Sequence, residues 1–66
     1  MHEQVEIRVR GDISDSAERL FAGFAHSVEP VTTTLRGEVG DEDELAALVR
    51  QIRDAGIELI GLRRLP

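Results

Sequence analysis

The sequence predicts an α+β fold with the element order βαββαβ. One antiparallel sheet has the order 4-1-3-2, with both helices on one face. Three observations carry this. Apolar residues alternate in "VEIRVR" and "TTTLRGEV", the period of a strand with one buried face. They recur at helical spacing after each of those stretches. A pattern also returns 26 residues on. Val9-Arg10-Gly11-Asp12-Ile13 comes back as Leu35-Arg36-Gly37-Glu38-Val39, and Asp15 and Glu18 come back as Asp41 and Glu44.

The first strand sets Val5, Ile7 and Val9 on one face and Glu6, Arg8 and Arg10 on the other. Gly11-Asp12 ends it. Ile13, Ala17, Leu20, Phe21 and Phe24 then form the apolar stripe of a helix. Asp15 is the expected N-cap, with Glu18 reaching back to it, and Gly23 weakens the last turn. "HSVEPV" reads as a short edge strand or a turn, because Pro30 has no N–H for a ladder.

In the third strand, Thr33, Leu35, Gly37 and Val39 share one face, and Thr32, Thr34, Arg36 and Glu38 share the other. Gly37 marks a bulge or a close helix crossing. Asp41 caps the second helix, Glu44 closes the capping box, and Leu45, Leu48, Val49 and Ile52 are its stripe. Arg50 and Arg53 suit the negative end of the helix dipole, and Gly56 suits the C′ position. "IELIGLRRL" finishes the chain as a strand. If it is regular, Ile57 and Leu59 meet the helices while Ile60 and Leu62 face away. A bulge at Gly61 instead turns Leu62 back into the core.

On this reading the repeat is one strand-to-helix turn built twice. Two split βαβ halves make the ferredoxin-like plan. A three-stranded βαβαβ unit, with "HSVEPV" as a connection, is the alternative, and its sheet is too small to stand alone.

Sixty-six residues predict a single domain over 1–66. Such a chain buries only about 60% of its unfolded surface. Without Cys, disulfides, thiolate metal sites and a Cys nucleophile are excluded. The aromatics are Phe21 and Phe24, so the core has few large anchors, which points to completion by a second copy. All eight basic residues are Arg, and Lys, Asn and Tyr are absent, which implies GC-rich coding and a bacterial source. A net charge of −5 disfavours nucleic acid and anionic membrane surfaces as partners. No apolar run approaches the ~18 residues of a membrane span. The N-terminus runs straight into a strand pattern, so no signal peptide and a cytoplasmic location are expected.

The functional motifs are sparse. RNA-recognition modules stack bases on aromatics of the first and third strands, and these strands have none. "DEDE" at 41–44 is not spaced as a cation loop and reads as a helix N-terminus enriched in acids. His2 and His26 are too few for a metal site. Ser14, Ser16 and Ser27 read as cap or loop residues. Arg10-Gly11-Asp12 has an echo at Arg36-Gly37-Glu38, so it reads as turn chemistry. The uncovered sheet face is the informative polar surface: Glu6, Arg8, Arg10, Thr32, Thr34, Arg36, Glu38, Glu58 and Arg64 are placed there. Cross-strand ion pairs explain it as a solvated face. The sharper reading has Arg8, Arg10 and Arg36 binding a carboxylate or an acidic partner.

The element order and size resemble ferredoxin-like modules such as the ACT domain. Residues 32–65 carry T-x-L-x-G-x-V-x-D-x-x-x-L, an Arg-flanked helix and an apolar last strand. That pattern resembles a type of short bacterial protein and implies a fold without a catalytic signature. The L-x-G-x-V strand leading into a helix is also similar to the BON domain. Acylphosphatases resemble this topology but use an Arg with an Asn, and this chain has no Asn.

The expected function is a non-catalytic interaction or ligand-sensing module that acts as a homodimer, with Ile60 and Leu62 at the interface and no cofactor or metal. The alternative is a small enzyme, or enzyme subunit, that binds an anionic substrate on the Arg-rich face. No catalytic residue is assigned, because no nucleophile is paired with a base in the sequence.

Overall fold

The computed structural model describes residues 2–66. β1 (Glu3–Arg10), α1 (Ser14–Leu20), β2 (Ala25–Glu29), β3 (Thr32–Val39), α2 (Glu42–Asp54) and β4 (Leu59–Arg64) follow one another in the expected order. The four strands form one antiparallel sheet, β2-β3-β1-β4. This is the expected order read from the other edge, and it is compatible with the ferredoxin-like plan. Among the described residues, no helix is long and apolar enough to cross a membrane.

Alternation in the strands sets the core. Val5, Ile7 and Val9 of β1 are buried on the same face as Thr33, Leu35 and Val39 of β3. Ala17, Phe21, Leu45 and Ile52 close over them, so both helical segments cover this face. Phe24 and Leu48 pack against both parts of the core and join them. "HSVEPV" contributes a true edge strand, and Pro30 falls in the hairpin turn that Glu29 and Thr32 close. Val31 completes that turn at φ +66°, a left-handed value unusual for a β-branched residue.

α2 is locally specified at both ends. Asp41 Oδ1 accepts from Glu44 N–H at 2.8 Å, and Glu44 Oε2 accepts from Gly40 N–H at 3.0 Å. At the far end, Gly56 at φ +75° lets its own N–H reach Arg53 C=O and the Ile57 N–H reach Ile52 C=O. That is a Schellman motif with its apolar partner, since Ile57 packs against the core that contains Ile52.

α1 departs from expectation. Asp15 is not its cap: it sits inside the first turn, while Ile13 occupies the cap position without a side-chain bond. Asp12 does the local work instead, accepting from Ser14 N–H at 3.0 Å and from Ser14 Oγ at 2.5 Å. Thr33 of β3 supplies the rest. Its hydroxyl accepts from Ile13 N–H at 3.1 Å and donates to Gly11 C=O at 2.6 Å. The helix also ends early, at Leu20, so Gly23 at φ +87° and Phe24 lie beyond it. Gly37 marks neither a bulge nor a helix crossing. It pairs regularly with Val5, and a Cβ there would lie 2.5 Å from the Phe24 ring.

The repeat is therefore not one turn built twice. Gly11, at φ +90°, leaves β1 straight after Arg10, whereas Gly37 stays inside β3. Glu3 and Thr32 open the equivalent strands, a spacing of 29 (32 − 3), and at that spacing Gly11-Asp12 matches Gly40-Asp41. The 26-residue echo shares residue types, not positions in the fold.

β4 carries an irregularity next to Gly61, at Ile60. Val9 pairs with Leu59 and Arg8 with Gly61, so Ile60 is an extra residue. The phase resets, and Leu62 falls opposite Ile7, on the helix-covered face rather than the outer one. It remains 37% exposed there because β4 is a sheet edge.

Candidate functional site

Because both helical segments cover one face, the other face of the sheet is left open to solvent. β1 sends Glu6, Arg8 and Arg10 to it, and β3 sends Thr32, Thr34, Arg36 and Glu38. The bulge adds Arg63 of β4, which pairs with Glu6. At the centre lies Glu6, only 5% exposed. Arg36 Nε donates to its Oε1 at 2.9 Å, and Arg63 Nε donates to its Oε2 at 2.7 Å. The hydrogen bond from Arg36 leads in holding the Glu6 carboxyl below its usual range; burial opposes it, and Arg63 adds to it. Glu6 is thus a carboxylate that fixes two guanidinium groups on either side of β1.

Of the three arginines expected to bind together, the structure brings two into this group. Arg36 is held by Glu6, and Arg8 lies in the next row along β1, between Thr34 and Gly61. Among the described residues, Arg8 forms no ion pair. Arg10 stands apart: its Nε meets Glu58 Oε1 at 3.1 Å, with both side chains largely exposed. Such a pair contributes little.

Arg63 was not legible in advance. A regular strand would have placed Arg64 on the open face. The bulge sends Arg64 to the position opposite Val5, where it contacts Glu3 and Glu42. The sequence signal was Gly61, because a glycine in a strand marks where the phase can slip.

The acidic run at 41–44 is spent on structure: Asp41 and Glu44 close the cap, and Glu42 pairs with Arg64. Among the described residues, no three His, Asp or Glu side chains gather in a way that could hold a metal ion. Hydroxyl and carboxylate do meet at Ser14 and Asp12. There Ser14 Oγ donates a hydrogen bond to Asp12, a carboxylate held below its ordinary range chiefly by that same bond, with His26 the smallest contributor. A carboxylate stabilised in this way is a weak base, so the bond secures the turn rather than activating the hydroxyl.

Exposed apolar side chains at both sheet edges complete the surface. On β4, Leu59, Ile60 and Leu62 are 38%, 45% and 37% exposed. At the opposite edge, the exposed large apolar residue within β2 is Val28.

These features define a small α+β domain with an uncovered, Arg-bearing sheet face and an apolar edge strand. Residues 4–63 match the model of a family described as Domain of unknown function (DUF8691), and the chain belongs to that family. No curated protein and no solved structure matches it.

Proposed function

We propose that the chain is a non-catalytic interaction module of ferredoxin-like plan that acts as a homodimer, joined by β4 of each copy. The supporting observation is the edge strand β4, which bears Leu59, Ile60 and Leu62, each more than a third exposed. An edge strand offers unpaired backbone groups, and large aliphatics beside it favour pairing with another chain. A twofold dimer sets β4 antiparallel to its copy. Charge favours that direction, because acidic Glu58 immediately precedes the strand and basic Arg63 and Arg64 end it. Antiparallel pairing brings opposite charges together, and parallel pairing brings like charges together. The β2 edge is a poorer candidate, since it is short and runs into Pro30.

Sedimentation of wild type and Ile60→Glu at micromolar concentration tests this. Wild type should be a dimer and Ile60→Glu a monomer. A monomeric wild type overturns the homodimer. A dimer that Ile60→Glu leaves intact overturns the β4 interface.

A further inference from the structure

The open face has a charge balance unlike the rest of the chain. Arg8, Arg36 and Arg63 stand in two adjacent rows, about 7 Å apart along β1, with Glu6 as the carboxylate between the last two. Within these two rows three positive charges stand against one negative, a local +2 in a protein whose net charge is −5, with Glu38 in the row beyond Arg36. Glu6 presents little negative charge outward, because it is 5% exposed and each of its oxygens already accepts from a different Nε.

The row that contains Arg8 is built differently from its neighbours. It runs Ser27, Thr34, Arg8, Gly61 across β2, β3, β1 and β4. In the register, two hydroxyl residues lie on one side of Arg8, and the position on the other side, Gly61, carries no side chain. A Cβ added at Gly61 would meet nothing within 4 Å. This gap opens into a shallow depression at the β4 edge, lined by Glu6, Arg8, Gly61, Leu62 and Arg63.

We infer that this depression is a binding site for a phosphate dianion carried by a small molecule, held by Arg8 and Arg63 over Gly61, with Arg36 and Thr34 flanking it. A phosphate monoester carries a charge close to −2 at neutral pH and three acceptor oxygens, which matches both the surplus charge and the donors. Arg63 and Arg36 are already oriented through Glu6, so less side-chain freedom is lost on binding than at loose surface arginines. Among the described residues, Arg8 has no ion pair to break. The residues that form it come from one chain, and three of them, Gly61, Leu62 and Arg63, belong to the edge strand proposed above as the dimer seam.

The test is titration with inorganic phosphate at constant ionic strength, followed by amide chemical shifts in ¹⁵N-labelled protein, with acetate as the monoanion control. Phosphate should give saturable shifts at residues 8, 34 and 61, and acetate should not. Arg8→Gln should fold as wild type and bind roughly tenfold more weakly, the loss expected for one charged hydrogen-bonding group. Arg10→Gln should bind as wild type. Gly61→Leu keeps every charge and fills the gap, so it should also weaken binding. Non-saturable shifts in wild type, equal binding of acetate, unchanged affinity in Arg8→Gln or Gly61→Leu, or an equal loss in Arg10→Gln would each overturn the site.

Discussion

The two strand-to-helix connections start from similar words and are held by different means. After β3, the turn into α2 is held by its own residues: Gly40, Asp41 and Glu44 exchange the bonds that start the helix. After β1, the turn into α1 depends on a neighbour. Thr33 of β3 bonds both Gly11 and Ile13, and the Val31 carbonyl accepts from Gly11 N–H at 2.7 Å. One helix has 13 residues and the other has 7. A helix with its own cap and stop signals has its ends fixed locally even though its stability still comes from packing Leu45 and Ile52, whereas the ends of the 7-residue helix are also set by tertiary contacts. The β1–α1 connection thus belongs to the cooperative core and the β3–α2 connection to the local chain.

The sharpest way to break this contrast is at the two glycines the sequence equates. Gly37→Ala should cost about 3 kcal/mol, because the new Cβ overlaps the Phe24 ring. Gly11→Ala should cost about 1 kcal/mol, because its φ of +90° strains a side chain although the space is open. Urea unfolding measures both. If the Gly37→Ala loss is unchanged in a Phe24→Leu background, the steric account fails.

Thr33→Val comes next. It keeps the shape of a buried side chain but removes the hydroxyl that joins the Gly11 and Ile13 backbone groups, for a loss of about 2 kcal/mol. Hydrogen exchange should show α1 losing protection before α2. Equal loss across both helices would mean that the first turn is not held from β3.

Asp41→Ala should lower stability by about 1 kcal/mol, and Glu42→Ala and Asp15→Ala by less than half as much. Comparable melting temperatures for Asp41→Ala and Asp15→Ala would refute the assignment of the caps. Val31→Asn should raise stability by about 0.5 kcal/mol, since Asn tolerates the left-handed φ that Val resists. A lower melting temperature for that variant removes the backbone argument.

A slope rather than a step is expected from acid. Glu6 in the folded protein ionises below its ordinary value of 4.5, so its contribution is fully present above that pH. It is lost as pH falls through the lower folded value. Glu6→Gln should flatten this part of the stability profile, and an unchanged profile in the variant would show that the ion pairs are not linked to folding.

Much of the fold was legible. The alternation of Val5, Ile7, Val9 and of Thr33, Leu35, Val39 selects one buried face whatever the neighbours are, because side chains alternate along any strand. Asp41, Glu44 and Gly56 state their roles locally, because caps are made within a few residues of the helix end. Arg8 and Arg36 could be placed on the open face for the same reason as the core strands.

What the sequence could not decide was everything that depends on contacts between distant segments. Asp15 looks as good a cap as Asp41, and only the bonds from Thr33 and the departure of the chain at Gly11 leave it inside the first turn. Phe24 continues a helical stripe by spacing, but the backbone leaves the helix after Leu20 and the ring packs over Gly37. The face of every β4 residue after Leu59 depends on one extra residue, Ile60, so that Arg63 rather than Arg64 reaches Glu6. Local patterns fix periodicity and caps because their partners are a few residues away. Phase after a bulge, and the choice between two equally good caps, are settled by pairing and packing across the sheet, where the sequence separation is large and the spacing of residues carries no information.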